Sequence, residues 1–272
     1  MHFAAKTILS DFRTGSSLPV LVETIGGPKC VVKWKGTGEG PLANAVDWIC
    51  LHLARRIGIP VPTPHLITIG SDLIDKSRDP DINDLITRSL GVNLGVEFLE
   101  GSTPFNSSHV DTTDPALKSR IFLFDILFLN IDRTDHNPNM VFSEDTLYCI
   151  DFAAAMSMKM LMSGQNHSER ALLFVIRRHP FYKKASEVNL INLAADASHV
   201  NEILSSIPDD WLVDPESTKR NLVVGLRTII DDAHSILEHR LAILDTLPLE
   251  SEEDRRVRTL RNRRAFEERW LK

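Results

Sequence analysis

The sequence predicts an α+β chain in two lobes, a small strand-rich one over residues 1–100 and a larger, mostly helical one over 101–272. Three observations predict it. Short β-branched runs bounded by glycine crowd the first hundred residues, with one long amphipathic segment among them. After about residue 115 the apolar spacing becomes mainly helical. Between the two, Gly101-Ser-Thr-Pro and Asn106-Ser-Ser form the one stretch that reads as a boundary.

The elements follow in order. Pro19–Ile25 and Lys29–Trp34 are short strands, and Gly26-Gly27-Pro28 between them suits a tight turn, so the two read as a hairpin. Gly36–Pro41 is a flexible loop. Leu42, Val46, Ile49, Leu53 and Ile57 recur at three- and four-residue steps on one helical face, and Gly58 ends that helix. Pro60–Pro64 is an extended connector. His65–Ile69 is a strand, residues 71–90 are expected to be irregular, and Asn93–Leu99 is the last strand of the lobe. Leu117–Leu129 reads as a buried helix. Met140–Phe142 and Leu147–Ile150 flank Ser143-Glu-Asp-Thr146 as a hairpin. Residues 168–178, 185–206 and 216–246 carry helical periodicity.

Composition narrows the function classes. The chain has 272 residues, 31 Lys plus Arg against 37 Asp plus Glu, a net charge of −6, 43% hydrophobic and 25% charged residues, which are globular values. The acidic balance argues against broad binding to nucleic acid or anionic membrane. Cys30, Cys50 and Cys149 form no C-x-x-C pair and sit in apolar company, which suits a reduced, cytoplasmic chain. The N-terminus shows no signal-peptide pattern. The apolar run Ile121–Ile131, broken by Asp125 and Asn130, is too short to span a bilayer.

Polar residues concentrate in Asn130-Ile-Asp132-Arg133-Thr-Asp135-His136-Asn137-Pro138-Asn139, between the buried helix and the hairpin. Asp132 and Asn137 fit D-x-x-x-x-N. That spacing lets one loop offer a carboxylate to a substrate hydroxyl and an amide oxygen to a metal, the arrangement of a protein-kinase catalytic loop. The same residues also suit an Asx-rich turn at a helix end. Asp151 follows the hairpin, which returns a second carboxylate beside the first, and two carboxylates with an amide oxygen suit Mg²⁺. An N-cap for a helix from Ala153 would use Asp151 as well. Lys33 lies in an apolar strand and needs a partner if it points inward; Asp47 and Glu39 are nearby, and a solvent-facing lysine stays open. Gly15-Ser16-Ser17 suits a phosphate-binding turn or a plain one. His136 is placed to orient the loop or to cap it.

Several chemistries are excluded by pattern. Gly36-Thr-Gly-Glu-Gly-Pro41 fails G-x-G-x-x-G because Pro41 takes the third glycine's place. There is no Walker A sequence, no G-x-S-x-G elbow and no zinc spacing of His and Cys. The Arg-rich tail, from Arg255 to Arg269, is balanced by acids and reads as a solvated helix, or as a dock for an acidic partner or RNA.

Taken together, Val31-Val-Lys33-Trp34, the segment Leu53–Pro62, the 130–139 loop and Ile150-Asp151-Phe152 resemble the HipA-like kinases, in particular their short bacterial branch, with a distant likeness to phosphoinositide kinases. The resemblance runs from about Gly15 to Asp151. It implies a two-lobed, protein-kinase-like fold that binds ATP and Mg²⁺ and transfers phosphate to a Ser/Thr hydroxyl of a protein. It implies Lys33 and Asp47 for phosphate binding and Gly15, Ser16 and Ser17 as the phosphate loop, with Ser16 or Ser17 open to autophosphorylation. Val96 to Leu99, including Glu97 and Phe98, would form the adenine hinge. Asp132 would be the catalytic base, with Asn137, Asn139 and Asp151 at the metal. The family's helix carries Glu where Asp47 stands. Asp is one methylene shorter, so its pair with Lys33 is expected to be strained or water-bridged, with Glu39 as a substitute. A small-molecule phosphotransferase, or a nucleotide-binding pseudokinase with an antitoxin-like or regulatory partner, are the alternatives.

Overall fold

A computed structural model describes residues 1–12, 18–74, 76–77, 79–183 and 197–248. Five strands close into a barrel in the order β1 (His2–Asp11), β2 (Val20–Thr24), β3 (Cys30–Lys33), β5 (Gly91–Glu97) and β4 (Pro64–Ile69). All neighbours are antiparallel except β1 and β4, whose parallel pairing from His2↔Leu66 to Ala4↔Thr68 closes the ring. Closure removes free edges. Inward side chains alternate along each strand, so Val20, Val22, Cys30, Val32, Trp34, Ile67 and Ile69 fill the interior. At Gly95 a Cβ would lie 2.4 Å from Ile67 Cγ1, so only glycine fits where β5 crosses that side chain.

Among its described residues the strand-rich part holds a strand and an α-helix beyond the sequence reading. β1 precedes the expected first strand. Its His-Phe-Ala-Ala-Lys-Thr-Ile run lacks strict alternation, and two register shifts against β2 account for that. Within 71–90, expected to be irregular, α2 (Pro80–Arg88) forms a short helix. Asp79 caps it by accepting from the Asp81 amide at 2.9 Å. Ile82, Leu85 and Ile86 share one face and join the barrel core.

Helix α1 (Pro41–Arg56) connects β3 to β4. Pro41 starts it, and Gly58, at φ +74°, turns the chain out of it. Its apolar face (Val46, Ile49, Leu53) joins Leu94 and Val96 of β5 and the second, larger core. That core centres on α3 (Pro115–Phe128), which is apolar around most of its circumference and buried accordingly.

Strands β6 (Thr103–Pro104), β7 (Met140–Ser143) and β8 (Thr146–Cys149) form a small antiparallel sheet beside α3. The β7–β8 turn places both Glu144 and Asp145 at positive φ, as a two-residue type I′ hairpin turn requires. Among the described residues five α-helices follow: α4 (Met156–Ser163), α5 (Glu169–Ile176), α6 (Ala197–Ser205), α7 (Pro215–Asp231) and α8 (Ala233–Thr246). The periodicity over 216–246 thus divides at Asp232. Gly225 lets α7 approach α4, since a Cβ there would meet Leu161 at 2.3 Å. Gly15, Ser16, Ser17 and the Arg-rich tail lie outside the described residues. No helix among the described residues is long and apolar enough to cross a membrane. Cys30, Cys50 and Cys149 are buried free thiols.

Candidate active site

The barrel and the α3 core meet at Lys33. Val32 and Trp34 point into the barrel, so Lys33 points out of it, yet only 17% of its side chain is exposed because α1 lies on that face. Its ammonium contacts Asp47 of α1 directly and lies 3.1 Å from Asp151 Oδ1. The contact is direct, so Asp47 needs no bridging water to reach Lys33. The helix lies close to the strand, with Asn44 Nδ2 donating to the Lys33 carbonyl at 3.1 Å, so the shorter side chain reaches. Glu39 takes no part: its carboxylate is 3.7 Å from Lys159 of α4.

Asp47 is fully buried, and its second oxygen accepts from the Phe152 amide at 2.8 Å. One carboxylate therefore joins β3, α1 and the segment after β8. Burial and the Asp151 charge push the Asp47 carboxyl up, while Lys33 and the Phe152 amide pull it back. Asp151 is also desolvated, but the Lys33 ammonium holds its carboxyl below the usual range. Burial opposes the charge on Lys33, and the two carboxylates more than offset it, so its pKa lies above the ordinary lysine value.

Asp151 does not cap a helix. α4 begins at Met156 with Ala155 at the cap, and Asp151 Oδ1 accepts from the Ala153 amide at 3.2 Å in an Asx turn. Asp151 has φ +58° and Asn139 φ +48°, in the left-handed region that Asp and Asn tolerate better than most residues. Such conformations persist only where surroundings over-determine them, and they concentrate at functional sites.

The 130–139 loop is held from within and from beneath. Thr134 and Asn137 exchange backbone hydrogen bonds of 3.0 and 3.2 Å. Asp132 stands exposed at its rim, where Asn137 Nδ2 (2.8 Å) and Asn139 Nδ2 (3.3 Å) donate to its Oδ2. With both amide nitrogens turned to Asp132, the amide oxygens of Asn137 and Asn139 face away from it. The Ile150 amide donates to the Asn139 carbonyl at 2.9 Å, so the β7–β8 hairpin does return Asp151 beside the loop.

Beneath the loop lies a buried group that sequence reasoning passed over. Arg133 Nε is 2.6 Å from Asp125 Oδ2, with both side chains fully buried. Nη1 of Arg133 reaches the carbonyls of Pro138, Asn139 and Ile150, and its guanidinium lies 4.7 Å from the centre of the Phe152 ring. Asp125 also accepts from Asn130 Nδ2 at 2.9 Å and from His179 Nε2 at 3.1 Å. The Phe181 amide donates to His179 Nδ1, which fixes the neutral tautomer with its proton on Nε2. Burial keeps His179 below the ordinary histidine pKa. Asp125 is desolvated too, but Arg133 and His179 hold its carboxyl below the carboxylate range. One signal for this group was present: a lone acid inside the apolar run Ile121–Ile131 needs a buried partner. His136, by contrast, is 80% exposed beside Asp135 and orients nothing.

Glu97, Phe98 and Leu99 lie at the end of β5. The Glu97 and Phe98 amides are engaged by the carbonyls of Thr63 and Lys29, at 2.9 Å each. The Leu99 amide takes no backbone carbonyl among the described residues.

A family model described as HipA-like kinase matches residues 5–240, reaching beyond the Gly15–Asp151 resemblance in both directions. Solved structures that align with the chain include a Helicobacter pylori proinflammatory kinase, CtkA, at 12% identity and TM-score 0.49, covering 88% of this chain and 98% of that one. The choline kinase LicA from Streptococcus pneumoniae aligns at 14% identity and TM-score 0.30, over 89% of this chain and 95% of that one. A structure of LicA in complex with AMP aligns at 12% identity and TM-score 0.31, over 88% and 92%. No curated protein sequence matches the chain.

Proposed function

The chain belongs to the HipA-like kinase family, and from that premise we propose that it transfers the γ-phosphoryl group of ATP, with Mg²⁺, to a Ser or Thr hydroxyl of a protein. The observation that carries this reading is Lys33, held between Asp47 and Asp151, beside a loop that Arg133 ties to the Asp151 segment. The residues before about 100 would form the nucleotide-binding lobe and those from 101 the lobe carrying the loop.

Lys33 would meet the phosphates as a fixed positive charge, oriented by Asp47. Asp132 is exposed and held by two amides, so it can orient the acceptor hydroxyl and take its proton as the new O–P bond forms and ADP departs. Gly15, Ser16 and Ser17 would cradle phosphate, and Ser16 or Ser17 would be the site of autophosphorylation. Of the hinge residues, Leu99 keeps an amide that the barrel does not use.

The metal donors fit Mg²⁺ in kind. They are hard oxygens: the Asp151 carboxylate and the amide oxygens of Asn137 and Asn139. Among the described residues no three His, Cys, Asp or Glu side chains cluster as a closed cage. Mg²⁺ is commonly held by one or two carboxylates together with waters and phosphate oxygens. When bound it would neutralise phosphate charge.

The direct Lys33–Asp47 contact speaks against the pseudokinase alternative, which rested on Asp47 being too short. The test is incubation of the protein with γ-labelled ATP and Mg²⁺ beside Asp132→Ala, reading incorporated phosphate by mass spectrometry. Label on Ser16 or Ser17 in the wild type alone is the expected result. No label together with no ATP-dependent thermal shift would remove the nucleotide site; an ATP shift with phosphate passed only to small alcohols would make the chain a small-molecule kinase.

A further inference from the structure

The segment Ser206–Leu212 connects α6 to α7, yet it lies against the back of α1 and the ends of β3 and β5. Its Trp211 is almost fully buried, and the indole N–H donates to the Val92 carbonyl of β5 at 2.9 Å. The Trp211 ring meets Trp48 of α1 edge-on, with centroids 6.4 Å apart at 78°. Trp48 donates its own N–H to Ser206 Oγ at 3.0 Å. Next to Trp211, Asp210 pairs with Lys35, two residues beyond Lys33, at 2.5 Å. The segment is anchored from behind by Lys219 of α7, whose ammonium reaches the Ile207 carbonyl at 3.0 Å and Asp209 Oδ1 at 2.7 Å.

Trp48 directly follows Asp47. On a helix the two side chains are about 100° apart, so α1 cannot rotate or tilt to withdraw Asp47 from Lys33 without moving Trp48. Moving Trp48 breaks its bond to Ser206 and opens a buried aromatic contact with Trp211. In protein kinases the pair between the strand lysine and a helix acid must be in place for turnover, and control is exercised by moving that helix. We propose that the 206–212 segment is a positioning strap that fixes α1 with Asp47 engaged, so that the site is assembled without a separate activating event. This rests on the reading of Lys33, Asp47 and Asp151 as the active site. Trp211, Trp48 and the Lys35–Asp210 pair touch no reacting group; they act through α1.

The experiment compares wild type, Trp211→Phe, Lys35→Asp, Asp210→Lys and the exchanged pair Lys35→Asp/Asp210→Lys. The readouts are amide hydrogen exchange of residues 41–56 and phosphate incorporation from Mg·ATP. In the single variants the amides of α1 should exchange roughly tenfold faster while those of α3 stay protected, which marks local opening rather than unfolding. Turnover should fall roughly 10- to 100-fold, as expected for a misplaced catalytic pair. The exchanged pair should restore both, which a merely structural loss would not do. Unchanged α1 exchange in Trp211→Phe and both charge variants would overturn the proposal, as would a loosened α1 with full turnover. A wild type without turnover, whose α1 still loosens in the single variants, would overturn the kinase reading and leave the strap's hold on α1 intact.

Discussion

Arg133 and Asp125 meet at 2.6 Å, both side chains wholly removed from water. Arg133 turns its Nη1 to carbonyls of the loop and of Ile150. The pair therefore fixes the backbone that carries Asp132 relative to the backbone that carries Asp151. Removing the acid leaves a guanidinium buried without its counter-charge. Asp125→Ala is expected to cost about 3–5 kcal/mol in urea unfolding. His179→Ala removes one charge-assisted bond to the same carboxylate and is expected to cost about 1.5–3 kcal/mol. A loss under about 1 kcal/mol for Asp125→Ala would mean that the loop does not depend on this pair.

Asp47 invites the opposite substitution. Restoring the family's Glu adds a methylene at a position with no exposed surface, between Lys33 and the Phe152 amide. Overpacking there is expected to cost about 1–3 kcal/mol, and the displaced pair should lower turnover. Thermal unfolding and phosphate incorporation by Asp47→Glu check this. A variant as stable and as active as wild type would show that α1 has room to retreat.

The sequence made most of this geometry readable, for physical reasons that differ by element. The β2–β3 hairpin, α1 and the β7–β8 hairpin carry periodicity or turn signals strong enough to stand without tertiary context. So does the return of Asp151 to the loop, because a hairpin of known length fixes where its ends meet. β1 was unreadable because its bulges break alternation. α2 was hidden by brevity, since nine residues hold only three apolar positions. The face of Lys33 stayed undecided because alternation says only that it points away from Val32, not that α1 lies there. Asp125–Arg133–His179 spans 54 residues, and contacts at that separation leave no local trace beyond one acid in an apolar helix. The strap's role was equally invisible: Trp211 reads as an ordinary core residue until Trp48 is seen beside it.

Acid is expected to loosen the fold through His52. Its ring lies 4.5 Å from that of Trp48, and burial, with smaller contributions from the N-terminus and Arg55, brings its pKa down to about 4. A histidine with a depressed folded pKa binds fewer protons folded than unfolded, so stability is fully present above its unfolded value near 6.5. It is lost as pH falls from there towards 4. The shift corresponds to a loss on the order of 3 kcal/mol across that window. His179 is displaced in the same direction and adds to it. Urea unfolding at pH 7 and pH 5 should show the drop, and His52→Gln should flatten it. A His52→Gln profile as steep as wild type would assign the acid sensitivity elsewhere.

Asp132 and Asp151 should fail in different ways. Asp132 is exposed, and among the described residues its carboxylate is bonded to Asn137 and Asn139 alone, so Asp132→Asn should shift stability by less than about 0.5 kcal/mol. As the group that takes the acceptor proton, its loss should lower turnover by roughly 10²–10⁴-fold with ATP binding retained. Asp151→Asn removes a charge that faces Lys33 at 3.1 Å and the carboxylate proposed for the metal. Its activity should also fall, but rising Mg²⁺ should recover part of it, because a weakened metal site is filled by mass action. Mg²⁺ titrations of phosphate incorporation, with an ATP-dependent thermal shift run in parallel, separate the two. If Asp132→Asn responds to added Mg²⁺ and Asp151→Asn does not, the roles of base and metal ligand are exchanged between the two carboxylates; if both keep full turnover, neither belongs to the reacting site.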